Sequence, residues 1–112
     1  MKKHKFKINE STTPADIIEE LEYLKNANVK TIPLNQIRRI IFFLGGEEVK
    51  ATGASVRFYH RVLEDEPFYY QGYFQVHKIH KGGNKEEIRK GDFVKYLYPP
   101  IIRIIEILDA NE

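Results

Sequence analysis

The sequence predicts one small α+β domain: a three-stranded antiparallel sheet with helices packed on one face, in the order α-α-β-β-β-α-α. Three observations predict it. Apolar residues recur at helical spacing up to Gly46. The pattern then changes to alternation, and three alternating stretches with short connections imply an antiparallel meander. Helical spacing returns near the end, at Ile101, Ile104, Ile105 and Leu108. At 112 residues the chain suits one domain with one core.

Each element has a local reason. Residues 1–12 read as a basic arm or an added strand. The first helix opens at Thr13, a capable N-cap, followed by Pro14 at the first helical position and Asp16 at the third. Ile17, Leu21 and Leu24, with Ile18 beside them, form its apolar face, and Asn26-Ala27-Asn28 ends it. A second helix begins near Pro33, with Leu34, Ile37, Ile40, Ile41 and Leu44 as its stripe and Gly45-Gly46 as its stop. Arg38 and Arg39 are expected on its solvated side.

Residues 47–51 read as a short strand, and Gly53 as a turn or bulge. Ser55 to Leu63 is a stronger strand, rich in aromatic and β-branched residues. Glu64-Asp65-Glu66-Pro67 reads as an acidic turn, and Phe68 to Ile79 as the third strand, interrupted at Gly72. After a loop at residues 80–85, a short helix is expected around Asp92–Tyr98. Pro99-Pro100 should end it and start the last helix, which runs to about Asp109.

Composition narrows the function classes. With 42% hydrophobic and 30% charged residues, the chain is neither disordered nor membrane-spanning, because no run reaches about 18 uncharged apolar residues. The absence of cysteine excludes a disulfide scaffold, a CxxC redox site and a cysteine zinc site. The basic N-terminus is not followed by an apolar stretch, so a cytoplasmic location is expected. No cofactor or metal site is indicated: His77 and His80 form an HxxH pair, but residues three apart on a straight strand face opposite sides.

The net charge of +2 conceals an uneven distribution. Residues 78–95 hold six basic against three acidic side chains, and the first seven residues hold four lysines. Alternation places Val56, Phe58, His60 and Val62 on the core face, with His60 a buried or edge histidine bonded to backbone. Ser55, Arg57, Tyr59 and Arg61 then face outward. In the third strand Tyr69, Tyr73 and His77 share one face, and Phe68 and Tyr70 the other. Aromatic and histidine side chains beside Arg57 and Arg61 suit RNA, through stacking plus phosphate contact. They also suit a protein interface. The candidate surface combines Arg57, Arg61, Tyr73, Lys81 and Lys85, and the candidate catalytic groups are His77 and His80, since imidazole titrates near neutrality.

Several short motifs resemble the HicA family of bacterial toxins. The apolar helix ending in Leu44-Gly45-Gly46 is similar to that family's first helix. Gly53-Ala54-Ser55-Val56-Arg57-Phe58-Tyr59-His60 looks like its Gly-Ser-His strand, and Val76-His77-Lys78-Ile79-His80 like its third strand. The lead into its last helix is similar either to residues 87–97 or to residues 97–105. The resemblance covers about residues 33–108, leaving residues 1–32 as an extra arm and helix ahead of a HicA-like domain at 33–112, all within one compact domain. It implies a double-stranded-RNA-binding-like fold, RNA as a partner, a HicB-like antitoxin as a second partner, and metal-independent RNA cleavage by a histidine. The family's catalytic histidine follows its Gly-Ser pair, and here Ser55 holds that place. The resemblance therefore implies a degenerate RNA-cleaving toxin, unless another histidine serves. A non-catalytic protein-interaction module on the same scaffold is the alternative. Oligomeric state is not indicated.

Overall fold

The computed structural model describes residues 6–80 and 85–111. Helix α1 (Pro14–Asn26) starts at a reciprocal capping box. The Thr13 hydroxyl accepts from the Asp16 amide at 3.2 Å, and the Asp16 carboxylate accepts from the Thr13 amide at 2.9 Å. Its buried face is Ile17, Glu20, Leu21 and Leu24, while Ile18 is exposed, which corrects the expected apolar stripe. Glu20 is tolerated inside because the Gln36 side-chain amide donates to it from α2. The expected arm is described only from Phe6 onward. Phe6 and Ile8 pack against the core, and no strand forms there among the described residues.

Helix α2 (Leu34–Phe43) buries Leu34, Ile37, Ile40 and Ile41. It ends in a Schellman turn: the Gly46 amide reaches the Ile41 carbonyl at 2.9 Å and the Gly45 amide reaches Phe42 at 3.1 Å. Gly45 sits at φ 92°, where a side chain would be strained.

Two three-stranded antiparallel sheets follow, where the sequence predicts one. The first is the expected meander: β2 (Glu47–Val49), β3 (Ser55–Tyr59) and β4 (Tyr73–His77). The second joins β1 (Thr31–Pro33), β6 (Glu86–Arg89) and β5 (Ile79–His80), with Ile32 opposite Ile88. Its strands have two to four residues each, too short to show alternation, and β1 finds its partner more than fifty residues away.

The strand limits also differ from expectation. Strand β3 stops at Tyr59 because the chain turns into a 3₁₀ segment at Arg61–Leu63. Strand β4 begins only at Tyr73, after a second 3₁₀ turn at Tyr70–Gly72 in which Gln71 and Gly72 have φ of 53° and 88°. Phe68 and Tyr70 are therefore not core residues; they are 88% and 79% exposed.

Helix α3 (Tyr98–Ala110) is not separated from the preceding helical residues by Pro99-Pro100. Lys90–Asp92 opens the helical run, and Phe93–Leu97 continues it as a π-helical turn. Two prolines remove two successive donors. The ladder passes them because the Tyr98 amide bonds one residue further back than usual, to Phe93. The inward side chains of the meander, Val56, Phe58, Phe74 and Val76, join those of all three helices in one core. No helix is long and apolar enough to cross a membrane among the described residues.

Candidate functional site

The register of the meander assembles its outer face in rows. Tyr59 lies between Glu47 and Tyr73, Arg57 between Val49 and Gln75, and Ser55 opposite His77. Side chains alternate across a strand, so all of these project away from the core. The Tyr59 and Tyr73 rings lie 5.2 Å apart at 47°. The Arg57 guanidinium stands 6.0 Å from the Tyr73 ring centre, and its Nε and Nη2 both reach the Gln75 side-chain oxygen at 3.3 Å. The Tyr59 hydroxyl donates to Glu64 at 2.7 Å, and this carboxylate pushes the phenol up to about 12. Tyr59 thus remains a protonated donor across the physiological range.

Two open depressions flank Tyr73. One, of about 460 Å³, is lined by Arg57, Tyr70, Gln71, Tyr73, Phe74 and Gln75. The other, of about 530 Å³, is lined by Glu47, Tyr59, Glu64, Gln71 and Tyr73. The unusual backbone at Gln71 and Gly72 folds the loop back so that Tyr70 and Gln71 border the sheet. Hollows of similar size elsewhere, between Phe6–Thr12 and α1 and between Lys7–Ile8 and α2, contain none of the expected site residues.

Of the residues expected at the site, Arg57, Tyr73 and His77 come together on this face. Arg61 does not: it lies in the 3₁₀ turn after β3, because the strand ends two residues earlier. His80 belongs to the other sheet, paired with Glu86. Lys85 is exposed just before β6, and Lys81 lies outside the described residues. His60 is buried, as its place in the alternation requires. Its Nδ1 accepts from the Val62 amide at 3.2 Å, so Nε2 carries the proton and donates to the Leu44 carbonyl at 2.7 Å. Both nitrogens are occupied by backbone partners. Sequence reasoning missed Tyr70 and Gln71, whose positions depend on the loop turn, and Glu47, whose place beside Tyr59 depends on strand register.

A charge network braces the histidine end. Arg38 pairs with Glu48 and with Glu86, each at 2.7 Å, and Lys78 pairs with Glu86 at 2.7 Å. This corrects the reading of Arg38 as simply solvated: it ties α2 to both sheets. Hydrogen bonds from Lys78 and then Arg38 hold the Glu86 carboxyl down to about 2. A depressed carboxylate stabilises the fold above its unfolded value, about 4.5, and loses that contribution as the pH falls toward 2. With the pair partly in solvent, the contribution is about 1 kcal/mol rather than the full linkage value. Glu86→Gln should therefore cost about 1 kcal/mol at neutral pH in urea titrations. The gap to the parent should close near pH 2; a gap unchanged at that pH would contradict the assignment.

Compared with known proteins, the chain matches no protein-family model, no curated protein and no solved structure.

Proposed function

We propose that the outer face of β2, β3 and β4 binds single-stranded RNA, in a divergent HicA-like domain whose second partner is a HicB-like antitoxin. The observation that carries this reading is the array of Arg57, Tyr73 and Tyr59, with His77 at its edge and open hollows on both sides of Tyr73. Aromatic faces stack any base, and a guanidinium beside them meets the phosphate. The element order adds support. Read as α2, β2, β3, β4 and α3, it follows the α-β-β-β-α plan of a double-stranded-RNA-binding-like fold, with β5–β6 inserted and α1–β1 added in front.

In this reading His77 takes the place of the histidine missing at Ser55. The two positions face each other across the strands, with Cβ atoms about 5 Å apart, so an imidazole at either reaches the same region. His77 removes the ribose 2′-hydroxyl proton. The 2′-oxygen then bonds to phosphorus as the bond to the 5′-oxygen breaks, and Arg57 stabilises the charge on the phosphorane. The 5′-oxygen leaves with a proton from solvent.

The test is anisotropy titration of a labelled, unstructured RNA decamer with the full chain at 50 and 200 mM salt. Affinity should fall steeply with salt. Arg57→Ala and Tyr73→Ala should each weaken binding about tenfold. His77→Ala should spare binding and abolish cleavage. Binding without cleavage by the parent would reject the nuclease and keep the RNA-binding module; no binding would reject both. The exposure of Phe68 and Tyr70 favours a second reading, a protein-interaction module anchored by these rings. Such a contact would be nearly insensitive to salt.

A further inference from the structure

We infer that the hollow lined by Glu47, Tyr59, Glu64, Gln71 and Tyr73 is a base-reading subsite for guanine. The inference rests on the RNA-binding reading and names what one end of that surface selects.

The outer face is electrically divided. Arg57 and His77 occupy its middle and one end, and two carboxylates, Glu47 and Glu64, occupy the other. From Ser55 to Tyr59 the strand advances about 13 Å, so the two ends are separate places for a bound strand. A phosphate is repelled from the carboxylate end. What fits there is a neutral group with a flat face for the tyrosines and hydrogen-bond donors for a carboxylate, and a nucleobase has both.

The two carboxylates are not equivalent. Glu64 is engaged by the Tyr59 hydroxyl, which fixes the ring as part of the platform. Glu47 lies directly across the ladder from Tyr59, is exposed, and has no hydrogen-bond partner among the described residues. Its two oxygens are free to accept a pair of parallel donors. Guanine alone among the four bases presents two adjacent donors, N1–H and N2–H, on its pairing edge. Cytosine and adenine each place a ring-nitrogen acceptor beside their amino group, and uracil places carbonyls on both sides of its one N–H. A carboxylate facing any of these meets a lone pair. The guanine O6 next to N1 needs a donor, and the Gln71 amide lines the same hollow. Gln71 is held there by a backbone conformation that few non-glycine residues adopt, φ 53°.

The experiment uses four labelled RNA hexamers, UUGUUU, UUAUUU, UUCUUU and UUUUUU, titrated with the full chain and with Glu47→Gln. A His77→Ala background prevents cleavage. The guanine hexamer should bind about tenfold tighter than the others, as expected for a bidentate pair. Glu47→Gln should reduce that preference to within about twofold. Affinity for UUUUUU should stay the same or rise, because a negative charge has gone. Equal affinity for all four sequences, a preference for another base, or a guanine preference that survives Glu47→Gln would overturn the subsite and leave RNA binding standing. If no hexamer binds, the RNA-binding reading itself fails.

Discussion

Replacing His60 by alanine should lower the stability of the fold by about 2–4 kcal/mol, a drop in melting temperature of roughly 10 °C or more. The histidine lies 2% exposed at the junction of three segments. Its Nε2–H caps the Leu44 carbonyl at the end of α2, and its Nδ1 receives the Val62 amide at the start of the 3₁₀ turn. Its backbone amide donates to Gly72 at 3.1 Å. The ring fits because it lies against Gly45 and Gly46: a Cβ on Gly46 would come 3.3 Å from its Cδ2. Alanine leaves a carbonyl and an amide unpaired in a buried site and adds a cavity. His60→Phe separates the two costs, since it keeps volume and loses both hydrogen bonds. It should recover only part of the loss. Urea titration of both variants checks this; a phenylalanine variant as stable as the parent would show that the hydrogen bonds contribute nothing. Neither variant changes a side chain of the outer face, so RNA affinity measured well below the transition should persist.

His60 also shows what was legible in the sequence. Its burial follows from alternation with Val56 and Phe58, a signal local to five residues. The capping box at Thr13 and Asp16, the double glycine after Leu44 and the inward-outward pattern of β3 are equally local, and each predicts its element. The second sheet is different. Ile32 and Ile88 are brought together only by tertiary structure, and neither sits in a stretch long enough to show a period. The run Phe68-Tyr69-Tyr70 has strand composition yet forms a loop, because Gly72 and Gln71 take positive φ and turn the chain before β4 starts. For the same reason Arg57, Tyr73 and His77 could be placed on one face from spacing alone, while Tyr70 and Gln71 could not. The prolines at 99 and 100 argue for a break that the structure avoids by a single wide turn, a solution that depends on the packing of Phe93 and Leu97, both fully buried.

Gly72→Ala should be the most damaging small substitution near the site, costing about 3 kcal/mol or more. Two terms add. The residue has φ 88°, where a side chain costs about 1–2 kcal/mol. A Cβ there would also lie 2.8 Å from the His60 carbonyl oxygen, 3.0 Å from Cε1 of Tyr59 and 3.2 Å from Cγ of Glu64. The first of these is backbone, in a residue fixed by buried hydrogen bonds, so it cannot yield cheaply. The other two belong to the platform itself, and moving them disturbs the Tyr59–Glu64 hydrogen bond that holds the ring in place. Gly53→Ala is the matching control. It also has positive φ, at 63°, but a Cβ there meets nothing within 4 Å. It should show the backbone cost alone, about 1 kcal/mol. Urea titration of the two variants side by side isolates the crowding term, and equal losses would refute it. The site offers a second reading of the same event. Tyr59 is held protonated by Glu64, with its phenol pushed up to about 12, and Glu22 does the same to Tyr98. Absorbance titration should therefore show two late tyrosines in the parent and in Gly53→Ala, of which Tyr98→Phe removes the second. In Gly72→Ala, on the Tyr98→Phe background, the remaining late component, Tyr59, should move back toward the ordinary tyrosine value near 10, because the Glu64 contact is what raises it.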